Sequence, residues 1–148
     1  MIRLTHDKID YAALTESIRS DLSGAVVLFL GTVREMTDGR KTVALDYDAY
    51  PAMAQTTMAE LEADARSKWP VDNVGIVHRL GHLEVGDVSV AVAVSCPHRQ
   101  QAFEAGKFLI DQLKLTVPIW KKENFSDGTT EWVHPGIESP SEPTPPAV

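Results

Sequence analysis

The sequence has little that would staple, anchor or widely electrify it. It contains one cysteine, Cys96, among 148 residues. That excludes an internal disulfide framework and suits a reducing compartment. Lysine and arginine total 14 against 21 acidic residues, a net charge of -7. A general nucleic-acid binder needs the opposite sign to neutralise phosphates. No apolar run approaches the roughly 20 residues of a membrane span. The start, with Arg3, His6, Asp7 and Lys8 around short apolar pieces, lacks the basic-then-apolar pattern of a secretory signal. The expected location is the cytoplasm, with no membrane and no nucleic acid as partner.

What is present suits one domain. Apolar residues at 43% and charged residues at 24% are ordinary for a globular chain, and this length buries a core without metal or disulfide. The reading is a single domain over residues 1–135. A tail over 136–148, with Pro140, Pro143, Pro145 and Pro146 among Ser, Glu and Thr, cannot bury a core and reads as disordered.

Periodicity places the elements. A short strand at residues 2–4 precedes a helix over 10–19, where Tyr11, Leu14 and Ile18 recur at helical spacing. The continuous apolar run over 25–30 predicts a strand buried on both faces, followed by a polar loop over 35–41 with Asp38-Gly39 as its turn. Residues 42–50 alternate, with Val43, Leu45 and Tyr47 on one side. Pro51 opens a second helix that runs to about residue 68, where Trp69-Pro70 stops it. Two more strands lie at 74–80 and 87–95, separated by a turn region over 81–86. A third helix spans 98–114, with Ala102, Phe103, Gly106, Leu109, Ile110 and Leu113 as its apolar face. Pro118 ends that pattern, and residues 119–125 and 129–133 form a hairpin across Ser126-Asp127-Gly128. Strands and three helices without strict alternation give an α+β fold with one mixed or mainly antiparallel sheet.

Three places carry the residue types of a site. Ser95-Cys96-Pro97-His98-Arg99 joins a strand to a helix start, where free N–H groups and the helix dipole attract anions. Cations there oppose the dipole, so His98 and Arg99 point either to a bound anion or simply to solvent. Gly31-Thr32-Val33-Arg34 delivers a guanidinium to a loop mouth, which is also an ordinary way to end a strand. Lys114, Lys121 and Lys122 lie in a stretch, residues 99–122, that is basic within an acidic protein. Lys114 suits a helix C-terminus on structural grounds alone. Folded together and partly buried by Trp120, such lysines would also become bases or oxyanion stabilisers. Cys96 reads as a small buried residue. His78, His82, His98 and His134 have no metal-ligand spacing with it, so neither metal nor cofactor is expected.

Taken in order, Gly31-Thr32-Val33-Arg34, Tyr50-Pro51-Ala52-Met53, Val77-His78-Arg79-Leu80-Gly81, His98-Arg99, Phe103-Glu104-Ala105-Gly106, and Lys114 followed by Pro118-Ile119-Trp120-Lys121-Lys122-Glu123 form a set. It resembles the MoaE family, the large catalytic subunit of molybdopterin synthase, from about residue 24 to 132. The resemblance implies an α/β hammerhead-like fold and a sulfurtransferase of molybdenum cofactor biosynthesis. Such an enzyme takes sulfur from the C-terminal Gly-Gly thiocarboxylate of a small ubiquitin-like, MoaD-like carrier subunit. It passes that sulfur to cyclic pyranopterin monophosphate to form the dithiolene of molybdopterin. It further implies a heterotetramer built on a large-subunit homodimer. By the same resemblance, Lys114 and Lys121 are catalytic. Thr32, Val33, Arg34, His98 and Arg99 bind the pterin and its phosphate, and Lys122 and Glu123 complete the wall. Some relatives carry an arginine between the catalytic lysine and the proline, whereas here the stretch is Leu115-Thr116-Val117. The alternative reading is a non-catalytic module that binds a ubiquitin-like tail or a small anion.

Overall fold

The structure, a computed structural model, describes residues 1–133. Its elements run β1 (Ile2–Thr5), α1 (Tyr11–Ile18), β2 (Ala25–Thr32), β3 (Met36–Thr37), β4 (Arg40–Ala49) and α2 (Pro51–Lys68). They continue with β5 (Asn73–Arg79), β6 (Gly81–Glu84), β7 (Val88–Cys96), α3 (Arg99–Thr116), β8 (Ile119–Phe125) and β9 (Thr130–Val133). The α+β class and the three helices agree with the sequence pattern. The strands, however, divide between two sheets rather than one. The first has the order β1-β5-β7-β2, with β1 and β5 parallel and the other pairs antiparallel. The second is antiparallel, β3-β4-β8-β9, with β6 also paired to β4.

The central strands explain the layering. On β5 and β7, Val74, Ile76, Val90, Val92 and Val94 join the large core under α2 and α3, while Val77, Ala91 and Ala93 join Leu14 and Ile18 of α1. Large side chains face two long helices and small ones face a short helix, so α1 lies close to the sheet. At Gly75 a Cβ would come 2.5 Å from the Leu14 side chain and 3.2 Å from that of Ile18. Asp10 starts α1 by accepting from the Ala13 N–H at 3.0 Å. Pro51 opens α2 and Trp69 closes it with its N–H on the Ala65 carbonyl. Among the described residues no helix is long and apolar enough to cross a membrane.

Four local expectations change. The apolar run of β2 is half-buried, with Val26 37% exposed, because β2 is the last strand of its sheet and only β7 covers one edge. The polar loop over 35–41 contains β3 and a two-residue turn in which Asp38 and Gly39 take φ of 49° and 78°, the geometry that suits the twist of a tight hairpin. The turn region over 81–86 holds β6, whose Leu83 is fully buried opposite Leu45. Val43 and Phe103, assigned to apolar faces, are exposed. A β-bulge between Thr42 and Ala44 turns Val43 outward, and Phe103 lies on the solvent flank of α3. The tail over 136–148 and His134 lie outside the described residues.

Leu109 is fully buried between α3 and the first sheet. Leu109→Ala should therefore lower the unfolding free energy by about 2–5 kcal/mol, read from urea denaturation at unchanged m-value.

Candidate active site

One cleft of about 300 Å³ lies where the end of β2, the C-terminal half of α3 and the second sheet converge. Each wall has a local cause. β2 runs so close to β7 that a Cβ at Gly31 would come 2.6 Å from Val90. The register then shifts between Gly31 and Thr32. The shift turns Val33 inward, its N–H bonded to the Asp87 carbonyl at 2.9 Å, and carries Thr32 and Arg34 to the cleft.

The opposite wall comes from α3 and β8. Ile110, Leu113 and Lys114 line the cleft from the last turns of the helix. Val117 caps that helix, its N–H on the Leu113 carbonyl, and Pro118 sends the chain back as β8. In β8 the odd-numbered side chains Ile119, Lys121 and Glu123 face the cleft, beside Leu45 and Tyr47 of β4. Lys121 and Glu123 are largely buried, at 14% and 6% side-chain exposure, and their charged ends are 3.6 Å apart. Lys114 belongs to the exposed rim.

Of the residues singled out in the sequence, Thr32, Val33, Arg34, Lys114, Lys121 and Glu123 line this one cleft. Lys122 projects from the other face of β8, 3.7 Å from Asp46 and 5.8 Å from the centre of the Trp132 ring. Trp120, expected to cover the lysines, is also on that face, with its ring against Tyr50. His98 and Arg99 are exposed at the start of α3. Fifteen residues separate Arg99 from Lys114 along that helix, about 22 Å at 1.5 Å per residue. Within one chain these two ends do not hold the same small ligand.

Tyr47, Ser89 and His78 line the cleft as well; His78 falls in one of the ordered motifs, but the resemblance assigns none of the three to the site. Metal-ligand spacing is the wrong criterion for His78. The sharper signal is that it continues the inward row of Val74 and Ile76 on β5, where a polar residue is out of place. The ring is buried, and its Nδ1 donates to the Arg79 carbonyl at 2.8 Å. Burial pushes its pKa down to about 4, against the Arg79 hydrogen bond and aided by the nearby positive charge of Lys114. The cleft thus holds Arg34, Lys114 and Lys121 against the single carboxylate of Glu123, in a chain of net charge -7. Such a pocket suits a small anionic compound and can stabilise an oxyanion as it forms. Among the described residues no cluster of three or more His, Cys, Asp or Glu side chains is placed to hold a metal ion.

The neutral, buried His78 has a consequence for stability. Its folded pKa of about 4 lies below the ordinary 6.5, so between these values the unfolded chain binds more protons. Stability is full above pH 6.5 and falls as the pH drops towards 4, by roughly 3 kcal/mol in total. In chemical denaturation across that range, His78→Gln should lose this slope; an equal slope in both proteins would contradict the assignment.

The family model described as MoaE protein matches residues 4–116. The molybdopterin synthase catalytic subunit of Halalkalibacterium halodurans is 46% identical over 121 residues, covering 82% of this chain and 77% of that protein. Its counterpart from Nostoc sp. is 50% identical over 115 residues, covering 77% and 70%. The X-ray structure of molybdopterin synthase from Staphylococcus aureus aligns with a TM-score of 0.83 at 40% identity, over 87% of this chain and 93% of that one. A complex of subunits 1 and 2 of the molybdopterin-converting factor from Helicobacter pylori shares the fold, with a TM-score of 0.73 at 22% identity over 97% and 94%. A family match over most of the chain, with relatives this similar over most of their own length, makes the chain a member of the MoaE family, the catalytic subunits of molybdopterin synthase.

Proposed function

We propose that the cleft between α3 and β8 transfers sulfur from the thiocarboxylate tail of a small ubiquitin-like carrier to cyclic pyranopterin monophosphate. The observation that carries this reading is the convergence of Lys114 from α3, Lys121 from β8 and Arg34 from the loop after β2 on one cleft. In the reaction a carbon–sulfur bond forms to the pterin as a carbon–oxygen bond at that carbon breaks, and the acyl–sulfur bond of the tail breaks. The tail carbonyl takes an oxygen from water and leaves as a carboxylate, and a second tail supplies the second sulfur of the dithiolene. Both the thiocarboxylate and the phosphate bring negative charge, and more develops on the acyl oxygen as its carbon is attacked. Fixed cations in a partly dewatered pocket stabilise that charge without reorganising.

Lys114, at the rim where an incoming tail first meets the cleft, is assigned to the thiocarboxylate carbon. Lys121 is assigned to assist it and to bind the substrate, held in place by the buried Glu123 carboxylate. Arg34, with Thr32 and Val33, is assigned to the pterin. Lys122, turned towards Asp46, belongs to the sheet more than to the reaction. His98 and Arg99 keep a role in phosphate binding only if they serve the cleft of a second copy, and the homodimer expected at the centre of the assembly supplies one. The complex of two subunits in the Helicobacter pylori neighbour supports the pairing with a small carrier. A lone, buried, free thiol at Cys96 suits the cytoplasm.

With thiocarboxylated carrier and cyclic pyranopterin monophosphate, Lys114→Ala should lower dithiolene formation by about 100-fold or more, while carrier affinity stays within a few-fold. Unchanged turnover would remove Lys114 from the reaction; loss of carrier binding alone would favour a tail-binding module. Sharing between protomers has its own test. Arg99→Ala and Lys114→Ala homodimers should both be impaired, and mixed dimers of the two should regain activity. A mixture no more active than its parents would place each site within one chain.

A further inference from the structure

The roles given to the lysines leave His78 without an assignment. It lies on β5 in line with Val74 and Ile76, which pack beneath α2 and α3. Its register partners, Leu4 on β1 and Val90 on β7, are apolar too. An imidazole in such a row carries two polar nitrogens into a place that an apolar ring would fill without any desolvation penalty. Yet the row ends at the cleft, and His78 lines it together with Lys114 and Lys121.

The geometry fixes the state of the ring. A carbonyl only accepts, so the 2.8 Å contact between Nδ1 and the Arg79 carbonyl puts the proton on Nδ1. Nε2 of a neutral ring then carries a lone pair and no proton. Tyr47, from β4, meets the imidazole edge-on with centroids 5.0 Å apart and limits its rotation. Lys114 approaches from α3, close enough for its charge to act on the ring. Arg79, the next residue on β5, directs its guanidinium to Asp87 at 3.8 Å instead. Its pKa of about 4 keeps the ring neutral at ordinary pH. The ring therefore acts here as an acceptor and not as a base.

We infer that His78 is a positioning residue for Lys114: a neutral imidazole, locked as the Nδ1–H tautomer, whose Nε2 accepts from the Lys114 ammonium and steers it over the cleft. The inference rests on the reading of Lys114 as the reacting lysine. It gives a reason for a histidine at the end of an apolar row. It also adds an acceptor that orients the long lysine at the helix end, which reduces the conformational freedom lost at each turnover.

Three variants test it in the full chain, assayed with thiocarboxylated carrier and cyclic pyranopterin monophosphate, with kcat and KM separated and thermal unfolding followed in parallel. His78→Phe keeps the ring volume and the contact with Tyr47 but has no acceptor. It should lower kcat by about tenfold or more with KM within about twofold, the signature of an interaction used in the reacting state. His78→Gln, whose amide oxygen reaches the place of Nε2, should recover most of that loss. Lys114→Ala supplies the floor. Wild-type kcat in folded His78→Phe would overturn the inference, as would folded His78→Gln falling to the Lys114→Ala level. If His78→Phe does not fold, the glutamine variant decides alone, near-wild-type kcat supporting the inference and the floor level overturning it. Normal turnover in Lys114→Ala would instead remove the reading on which the inference stands, whatever the His78 variants show.

Discussion

β8 leaves the end of α3 and pairs antiparallel with β4, Leu45 opposite Glu123 and Tyr47 opposite Lys121. The cleft depends on that register. Side chains alternate along a strand, so a slip of one residue would send Lys121 and Glu123 outward and bring Lys122 and Trp120 in. The pairing is held against slippage on both sides. Leu83 of β6 is buried opposite Leu45, and Asn124 bonds to the Ala44 carbonyl and the Asp46 carboxylate on the outer face. Pro118 matters for the same reason, since it ends the helical path and starts β8 at a fixed point after Lys114.

The charges of the cleft are set by this frame. Lys121 is largely buried, yet Glu123, two residues along the same face, stands 3.6 Å from it. Placing both on one side of one strand brings the pair together. Lys114 is held differently, at a helix end where the dipole favours a cation and where the side chain remains exposed. His78 adds no charge beside it, because burial makes the protonated ring unfavourable. The result is a positive pocket within an acidic chain.

Much of this was legible in the sequence. The three helices, the buried strands β5 and β7 and the hairpin of β8 with β9 are given by periodicity and by Pro51, Pro118 and Asp127-Gly128. The readings that failed share one cause. The apolar run of β2 does not reveal that it lies at an edge. Val43 breaks the alternation of β4 through a bulge that depends on the partner strand. The short strands β3 and β6 form only because β4 lies beside them, and their own residues resemble turns. Phe103 fits the apolar spacing of α3 but falls just outside the width of its packed face.

The site divides in the same way. The sequence by itself determined which residue types carry positive charge and where the chain must turn. Its ordered motifs, from Gly31 to Glu123, were enough to indicate the family. Only the tertiary structure decided that Lys121 and not Lys122 faces the cleft, that His98 and Arg99 stand a helix length from Lys114, and that His78 belongs beside it. Local sequence fixes periodicity and charge through interactions between near neighbours. Which face turns inward, and which distant side chains meet there, depends on strand register and helix docking between segments far apart in the chain.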